Sequence, residues 1–384
     1  MLLAVGLILF VLLVVLHEYG HFLVAKRNGV EVEEFGVGFP PKLFGKKLGK
    51  GIFEGYYTIN LLPLGGFVRL KGEHDADKSK GAFGAVSTKA KLRIMLAGVG
   101  MNLITALIMF TGLALVGMPQ IVDNQFTVKS NSTVSRSEVL AGYVDAGSPA
   151  EKAGITGGSQ IVSINGVTLT EKAQLREQTS ANAGKTVPIV YQKNGNQTTT
   201  NATLLTQAEV EASQKTDNPK GYLGVVPTEY KLVRSTWSAP VVAVGLSTQL
   251  TGLTLKALGE AVANLGKALG SAVTGQGQQA KKEAAKAGEN VSGPVGIYAV
   301  LKQGASLGFQ FVLFIVAIIS LTLAIMNALP IPALDGGRAA VMLAFRAAKK
   351  PLTQKTEERI HGIGFAVLIS LFVVITIVDV RRFF

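Results

Sequence analysis

Four blocks of apolar residues, each near the length of a bilayer crossing, alternate with polar stretches along the 384-residue chain; they run from Leu2 to Ala25, Leu92 to Met118, Leu307 to Leu329 and Ile363 to Val380. A hydrocarbon core of about 30 Å takes about 20 residues of helix, so the pattern predicts an α-helical polytopic membrane protein with four transmembrane helices. Between the first two blocks, Phe53 to Gly72 is β-rich and broken by Pro63 and Gly65-Gly66. It is too apolar for a solvated loop and too broken for a crossing, which predicts a membrane-dipping β-hairpin. Glu73 to Lys80 reads as a solvated charged loop, with His74 at the surface. Residues 121–228 have ordinary polar composition and predict an inserted α+β domain. Trp237 to Gly270 places Lys256, Glu260 and Lys267 at helical spacing, as expected of an amphipathic surface helix rather than a fifth crossing. Gln276 to Gly288 reads as a flexible connector. The predicted organisation is an N-terminal membrane part (1–120), the polar domain (121–228), an amphipathic helical connector (229–291) and a C-terminal membrane part (292–384).

Charge fixes the orientation. The net charge is +13 and the mean hydropathy +0.36. Basic residues gather between the first two blocks (Lys26, Arg27, Lys42, Lys46, Lys47, Lys50, Arg69, Lys71, Lys91, Arg93) and between the last two (Arg338, Arg346, Lys349, Lys350, Lys355, Arg359). Short loops rich in Lys and Arg stay cytoplasmic. Four crossings put both loops on that side, with the termini and the polar domain outside. Topology therefore accounts for the charge, and no aromatic-basic platform argues for nucleic acid. The first block has neither a basic leader nor a small-x-small cleavage site, so it does not read as a signal peptide.

Chemistry enters inside the first block. His17-Glu18-Tyr19-Gly20-His21 is H-E-x-x-H, which sets two imidazoles one helical turn apart beside a carboxylate. That arrangement offers Zn²⁺ two ligands and gives the attacking water a general base in Glu18. Ionisable groups in a membrane-length helix are expensive and point to function. His21 precedes Lys26 by five residues, about 7–8 Å of helix, which places the metal in the hydrocarbon near the cytoplasmic face. The chain has no cysteine and no G-x-S-x-G elbow, so hydrolysis has to use carboxylate, imidazole and metal. A catalytic zinc site takes a third protein ligand, and Asp335 is the candidate. It follows Pro330 and Pro332, which break the helix, and precedes Gly336-Gly337. A carboxylate at that depth is compensated when it binds a metal. Asn102, polar at membrane depth behind Ala97-Gly98-Val99-Gly100, is a candidate to face the substrate cavity or bond to another helix.

Two resemblances extend this reading. Ala141 to Ile155, Ile161 to Val167 and Gly221-Tyr222-Leu223-Gly224-Val225 resemble a PDZ domain, with the carboxylate-binding loop placed as in the circularly permuted bacterial form. The resemblance implies capture of an extended peptide at Leu223, Gly224 and Val225 by strand addition. H-E-x-x-H in the first block, with Asn327-Ala328-Leu329-Pro330-Ile331-Pro332-Ala333-Leu334-Asp335-Gly336 ending the third, resembles the site-2 protease family of intramembrane zinc metalloproteases. A single inserted PDZ domain and Ser292-Gly293-Pro294-Val295-Gly296-Ile297 match the bacterial regulator-of-sigma-E protease type. The family pattern implies that His17, His21 and Asp335 hold zinc, that Glu18 is the general acid and base, and that Asn327 hydrogen-bonds substrate or intermediate. It further implies a location in the bacterial inner membrane, and single-span membrane proteins as substrates, such as anti-sigma factors or remnant signal peptides. A helical substrate has to be unwound, and strand pairing at Gly65, Gly66, Phe67 and Val68 would hold it extended. The rival class is a PDZ-bearing membrane scaffold with a structural zinc site, against which an intact Glu18 argues.

Overall fold

The computed structural model describes residues 2–122, 124–193, 195–214, 219–289 and 293–383. Its contacts divide into two units: Met1–Thr111, Ala243–Ala305 and Val312–Phe384 form one, and Gly112–Val242 with Ser306–Phe311 the other.

The first unit opens with α1 (Leu2–Arg27), an apolar helix that ends in Lys26 and Arg27. Its buried positions Leu13, His17, Gly20 and His21 recur every three or four residues, so the two histidines of H-E-x-x-H fall on the packed face. Two long antiparallel strands follow, β1 (Val32–Leu48) and β2 (Gly55–Leu70). Residues 35–37 of β1 pair with 66–68 of β2 on one side and with 57–59 on the other, while 42–48 pair with 55–60. The expected hairpin within Phe53 to Gly72 is thereby corrected. The two halves of that segment flank β1 instead of pairing with each other. β1 itself escaped the pattern because its Gly, Pro and Lys residues obscure the alternation of a strand. Next come α2 (Thr88–Met95), capped by Ser87, and α3 (Ala97–Val116). Gly20 of α1 lets α3 approach closely, since a Cβ there would lie 2.7 Å from the Ala97 carbonyl oxygen.

The second unit holds a seven-stranded sheet of β3 (Met118–Pro119), β4 (Thr133–Val144), β5 (Gln160–Ile164), β6 (Val167–Thr168), β7 (Thr186–Lys193), β8 (Asn196–Thr203) and β9 (Val225–Arg234). Strand order is β3-β9-β4-β5-β7-β8, with β6 on β5. The same unit holds helices α4 (Pro149–Lys152), against β8, α5 (Lys172–Ala181), against β5 and β9, and α6 (Gln207–Ser213). Val139, Ile155, Ile161, Ile164, Ile189 and Leu223 form its core. The α+β character matches the expectation. The sheet continues to Arg234, beyond the expected boundary at residue 228, because β9 pairs with β4 along its whole length.

The chain then forms α7 (Ala239–Val273), α8 (Gly277–Glu289), α9 (Pro294–Leu307), α10 (Phe309–Ala328), α11 (Asp335–Ala347) and α12 (Gln354–Phe383). Residues 276–288 are mostly α8, a helix rather than the expected flexible connector, because Ala, Lys, Glu and Gln outweigh the glycines in helix propensity. Ser292 lies outside the described residues. The rest of that motif begins α9, where the backbone N–H groups of Gly293 and Gly296 each donate to Asp379 of α12 at 2.8 Å. Among the described residues, α1, α3, α7, α10 and α12 are long and apolar enough to cross a membrane. That is one more than the four blocks. The extra one, α7, is 35 residues long, and the charges at Lys256, Glu260 and Lys267 dilute its apolar character.

Candidate metal centre

Three side chains from distant parts of the chain converge. His17 Nε2 and His21 Nε2 lie 3.3 Å apart on α1, and each lies 3.2 Å from Asp335 Oδ2 at the start of α11. Helical spacing accounts for the first pair. The third arrives because Pro330 and Pro332 follow the end of α10 at Ala328 and the chain turns back on itself. The turn needs glycine twice. A Cβ on Gly336 would lie 2.3 Å from the Ala328 carbonyl oxygen, and one on Gly337 would lie 1.9 Å from that of Ile331.

Hydrogen bonding sets the electronic state. His21 Nδ1 lies 2.7 Å from the Ile94 carbonyl oxygen, so it carries the proton and donates, leaving the Nε2 lone pair facing inward. Asp335 Oδ2 is buried between the two Nε2 atoms. The Nε2 atoms of both imidazoles and Asp335 Oδ2 therefore converge at 3.2–3.3 Å. Ligands at 2.0–2.1 Å around a tetrahedral Zn²⁺ stand about 3.3–3.4 Å apart, so the spacing fits that ion.

The sequence carries the same chemistry across its length. The model of peptidase family M50 matches residues 5–371. This chain belongs to peptidase family M50. A Clostridium acetobutylicum relative that carries a zinc metalloprotease name is 33% identical over 377 residues, covering 98% of this chain and 96% of its own. Zinc metalloprotease RasP of Shouchella clausii is 29% identical, with 98% of each chain covered. RasP of Geobacillus kaustophilus is 26% identical over 98% of this chain and 97% of its own. The chain is thus a zinc metalloprotease of the site-2 protease family, and its long apolar helices make it an integral membrane protein.

Around the triad, the M50 peptidase builds a cavity of about 110 Å³ lined by Glu18, His21, Val68, Phe83, Asp335 and Arg338 among others. Glu18 faces the backbone N–H of Val68. Gly66 sits against the same side chain, since a Cβ there would lie 3.6 Å from Glu18 Cγ. Among the described residues, 66–70 pair with β1 alone; on the other edge the Val68 N–H faces Glu18 and the Leu70 N–H donates to Glu73. Gly65 takes φ +98°, and Phe67 lies over Gly36, so these two shape the strand within the sheet.

Five other predicted residues have different surroundings. The amide nitrogen of Asn102 lies 3.2 Å from His17 Nδ1, and its backbone carbonyl accepts from the Ser320 hydroxyl at 2.8 Å. It is buried, with His17 as its side-chain neighbour. Asn327 is half-buried near the end of α10, outside the residues lining the cavity. In the second unit, Leu223 belongs to the core, Gly224 takes φ +70° against Ser148, and Val225 opens β9.

Sequence reading missed two supports. A Cβ on Gly98 would lie 2.4 Å from His17 Cε1 and 2.5 Å from His21 Nε2, so only glycine leaves room for both rings. Its place among small residues of α3 was the available signal. The loop 73–80 is also anchored rather than solvated. Asp75 accepts from Lys91 at 2.5 Å and Arg346 at 3.0 Å, and fully buried Lys91 also donates to the Gly84 carbonyl. Burial pushes the Asp75 carboxyl up, but the Lys91 ammonium and the Arg346 guanidinium outweigh it and hold it below the usual carboxylate range. Arg338, one turn beyond Asp335, donates to the Glu73 carbonyl at 2.9 Å and lies over the Phe83 ring. Among the described residues His74 faces Glu357 and Glu358 and joins no metal-binding group.

Proposed function

We propose that this membrane zinc protease cleaves single-span membrane proteins within or near their transmembrane segments, at a site towards the cytoplasmic side of the bacterial inner membrane. His17, His21 and Asp335 would hold the metal; the observation that carries this is the convergence of two imidazole nitrogens and a carboxylate oxygen at 3.2–3.3 Å. When bound, zinc supplies Lewis acidity towards the attacking water and the scissile carbonyl. Glu18 takes the proton from that water and delivers it to the leaving amine. The strand edge at Gly66, Phe67 and Val68 holds the substrate backbone extended beside Glu18, which exposes a peptide bond that a helix keeps hydrogen-bonded. Asn102, its amide turned so that Oδ1 accepts from His17 Nδ1, fixes that ring with Nε2 towards the metal. Asn327 is proposed to meet the substrate beyond the cavity.

The polar domain is proposed to be a single PDZ module outside the membrane. Its loop at Leu223, Gly224 and Val225 leads into β9, which pairs with β3 only at Leu232 and Val233 and so offers a further edge to an extended peptide. Anti-sigma factors and remnant signal peptides are the substrate classes we propose. A scaffold with structural zinc fits less well, because a structural site is closed by four protein ligands. Here two of the three proposed ligands, His21 and Asp335, line a cavity together with Glu18.

The deciding experiment compares the intact protein with Glu18→Gln at matched zinc content on a panel of tagged single-span substrates in liposomes. Product from the intact protein alone is expected. Equal cleavage by both, or none across the panel at full zinc occupancy, would overturn the reading.

A further inference from the structure

The segment that brings Asp335 to the two imidazoles is held from outside the site. Ala333, two residues before the carboxylate, takes φ +80°. A residue with a Cβ adopts that conformation only where its surroundings impose it. The imposing element is α12. The Ala333 backbone N–H donates to His361 Nδ1 at 3.1 Å, across 28 residues of sequence. Three residues further along α12, Gly364 lies against the preceding loop residue. A Cβ there would lie 2.5 Å from the Pro332 carbonyl oxygen and 2.6 Å from Pro332 Cβ. One face of α12 thus grips two consecutive residues of the ligand loop.

His361 has no closer local use. With Nδ1 accepting from an amide, the neutral ring carries its proton on Nε2. Among the described residues, that nitrogen is buried and has no hydrogen-bond partner. It borders a cavity of about 390 Å³ lined by Glu73, His74, Arg338 and Glu358 among others. The ring is therefore oriented by the loop amide while its other nitrogen goes unmatched.

We infer that His361 is a positioning residue that holds the Asp335 loop in its metal-binding conformation, acting through the Ala333 amide. The inference rests on Asp335 being a zinc ligand, and the test separates the two. Zinc affinity is measured by chelator competition on the full chain in detergent, for the intact protein, Asp335→Ala, His361→Phe and His361→Asn. Amide exchange of residues 331–335 is followed in the zinc-free state. His361→Phe, which keeps a ring but no acceptor, is expected to weaken zinc binding about 10–100-fold, the range for a residue that orients a ligand. It should also speed exchange of the loop. His361→Asn, whose side-chain oxygen can take the place of Nδ1, is expected to restore both to within about threefold. Intact affinity and exchange in the Phe variant, or equal loss in the Phe and Asn variants, would overturn the inference. So would rapid exchange of the Ala333 amide in the unaltered protein, a reading that needs no variant to fold. Full zinc affinity in Asp335→Ala would instead remove the ligand assignment beneath it.

Discussion

Replacing Gly98 with alanine sets two rules of helix chemistry against each other. Gly98 lies in the first turn of α3, and exchanging glycine for alanine in a helix ordinarily stabilises by about 0.5–1 kcal/mol. Here the added methyl would lie 2.4 Å from His17 Cε1, 2.5 Å from His21 Nε2 and 2.6 Å from His17 Nδ1. Non-bonded carbon contacts settle near 3.5–4.0 Å, so the rings or the helix must retreat by about 1 Å. A metal bond of 2.0–2.1 Å does not survive a shift of that size without rearrangement. Zinc affinity should fall by about 100-fold or more, and turnover by a similar factor, while the zinc-free protein unfolds no earlier than the parent. Gly100→Ala is the control, because a Cβ there meets nothing within 4 Å. Chelator-buffered zinc titration and thermal unfolding of the zinc-free proteins read the two effects separately. Zinc affinities within about threefold of each other in the two variants would refute the steric account.

Two further outcomes are expected. Asp75→Asn strips buried Lys91 of its counter-charge and should cost about 3 kcal/mol, seen as a lower unfolding midpoint in detergent at pH 7. Since the folded Asp75 carboxyl sits below its unfolded value, its contribution is complete above about pH 4 and fades as pH falls through the folded value, so the two proteins should converge in acid; a gap that widens in acid would contradict this. Val68→Pro removes the amide that faces Glu18 and should abolish most turnover while zinc content stays intact, so unchanged cleavage would exclude the strand edge as the substrate's seat.

What the sequence disclosed depended on the distance over which each feature is encoded. H-E-x-x-H is one helical turn, complete within five residues. Asp335 could be found because prolines, glycines and a carboxylate at membrane depth form a local contradiction that a metal resolves. The four apolar blocks were equally self-contained. The supports were not. Ile94 accepts from His21 across 73 residues, Asn102 meets His17 across 85, and Arg346 reaches Asp75 across 271. An isoleucine carbonyl or an added glycine has no signature of its own. Asp75 and Lys91 were hidden for another reason: in composition, a buried ion pair is the same as a solvated charged loop. Lys91 and Arg346 were thus counted towards topology although both also hold the loop together.

The site's own geometry bears on α7, whose length would permit a crossing. On the proposed orientation the end of α1 that carries Lys26 and Arg27 is cytoplasmic, and His21 lies near that end. α3 starts beside it, with Ala97 against Gly20, and so runs the opposite way. Asp335 follows α10 and lies 3.2 Å from His21, so α10 must end on the side where α1 ends. An even number of crossings, zero or two, therefore separates α3 from α10. A crossing by α7 would need a return through α8 or α9. α8 carries Lys281, Lys282, Glu283 and Lys286, and α9, at 14 residues, rises only about 21 Å against a core of about 30 Å. We predict that α7 does not cross. The chain has no cysteine, so Trp237→Cys and Gln276→Cys each place a single thiol, one at either end of α7. Both should react with a membrane-impermeant maleimide added outside spheroplasts. Should Gln276→Cys react only after the membrane is opened, while Trp237→Cys reacts before, α7 crosses and the parity argument fails.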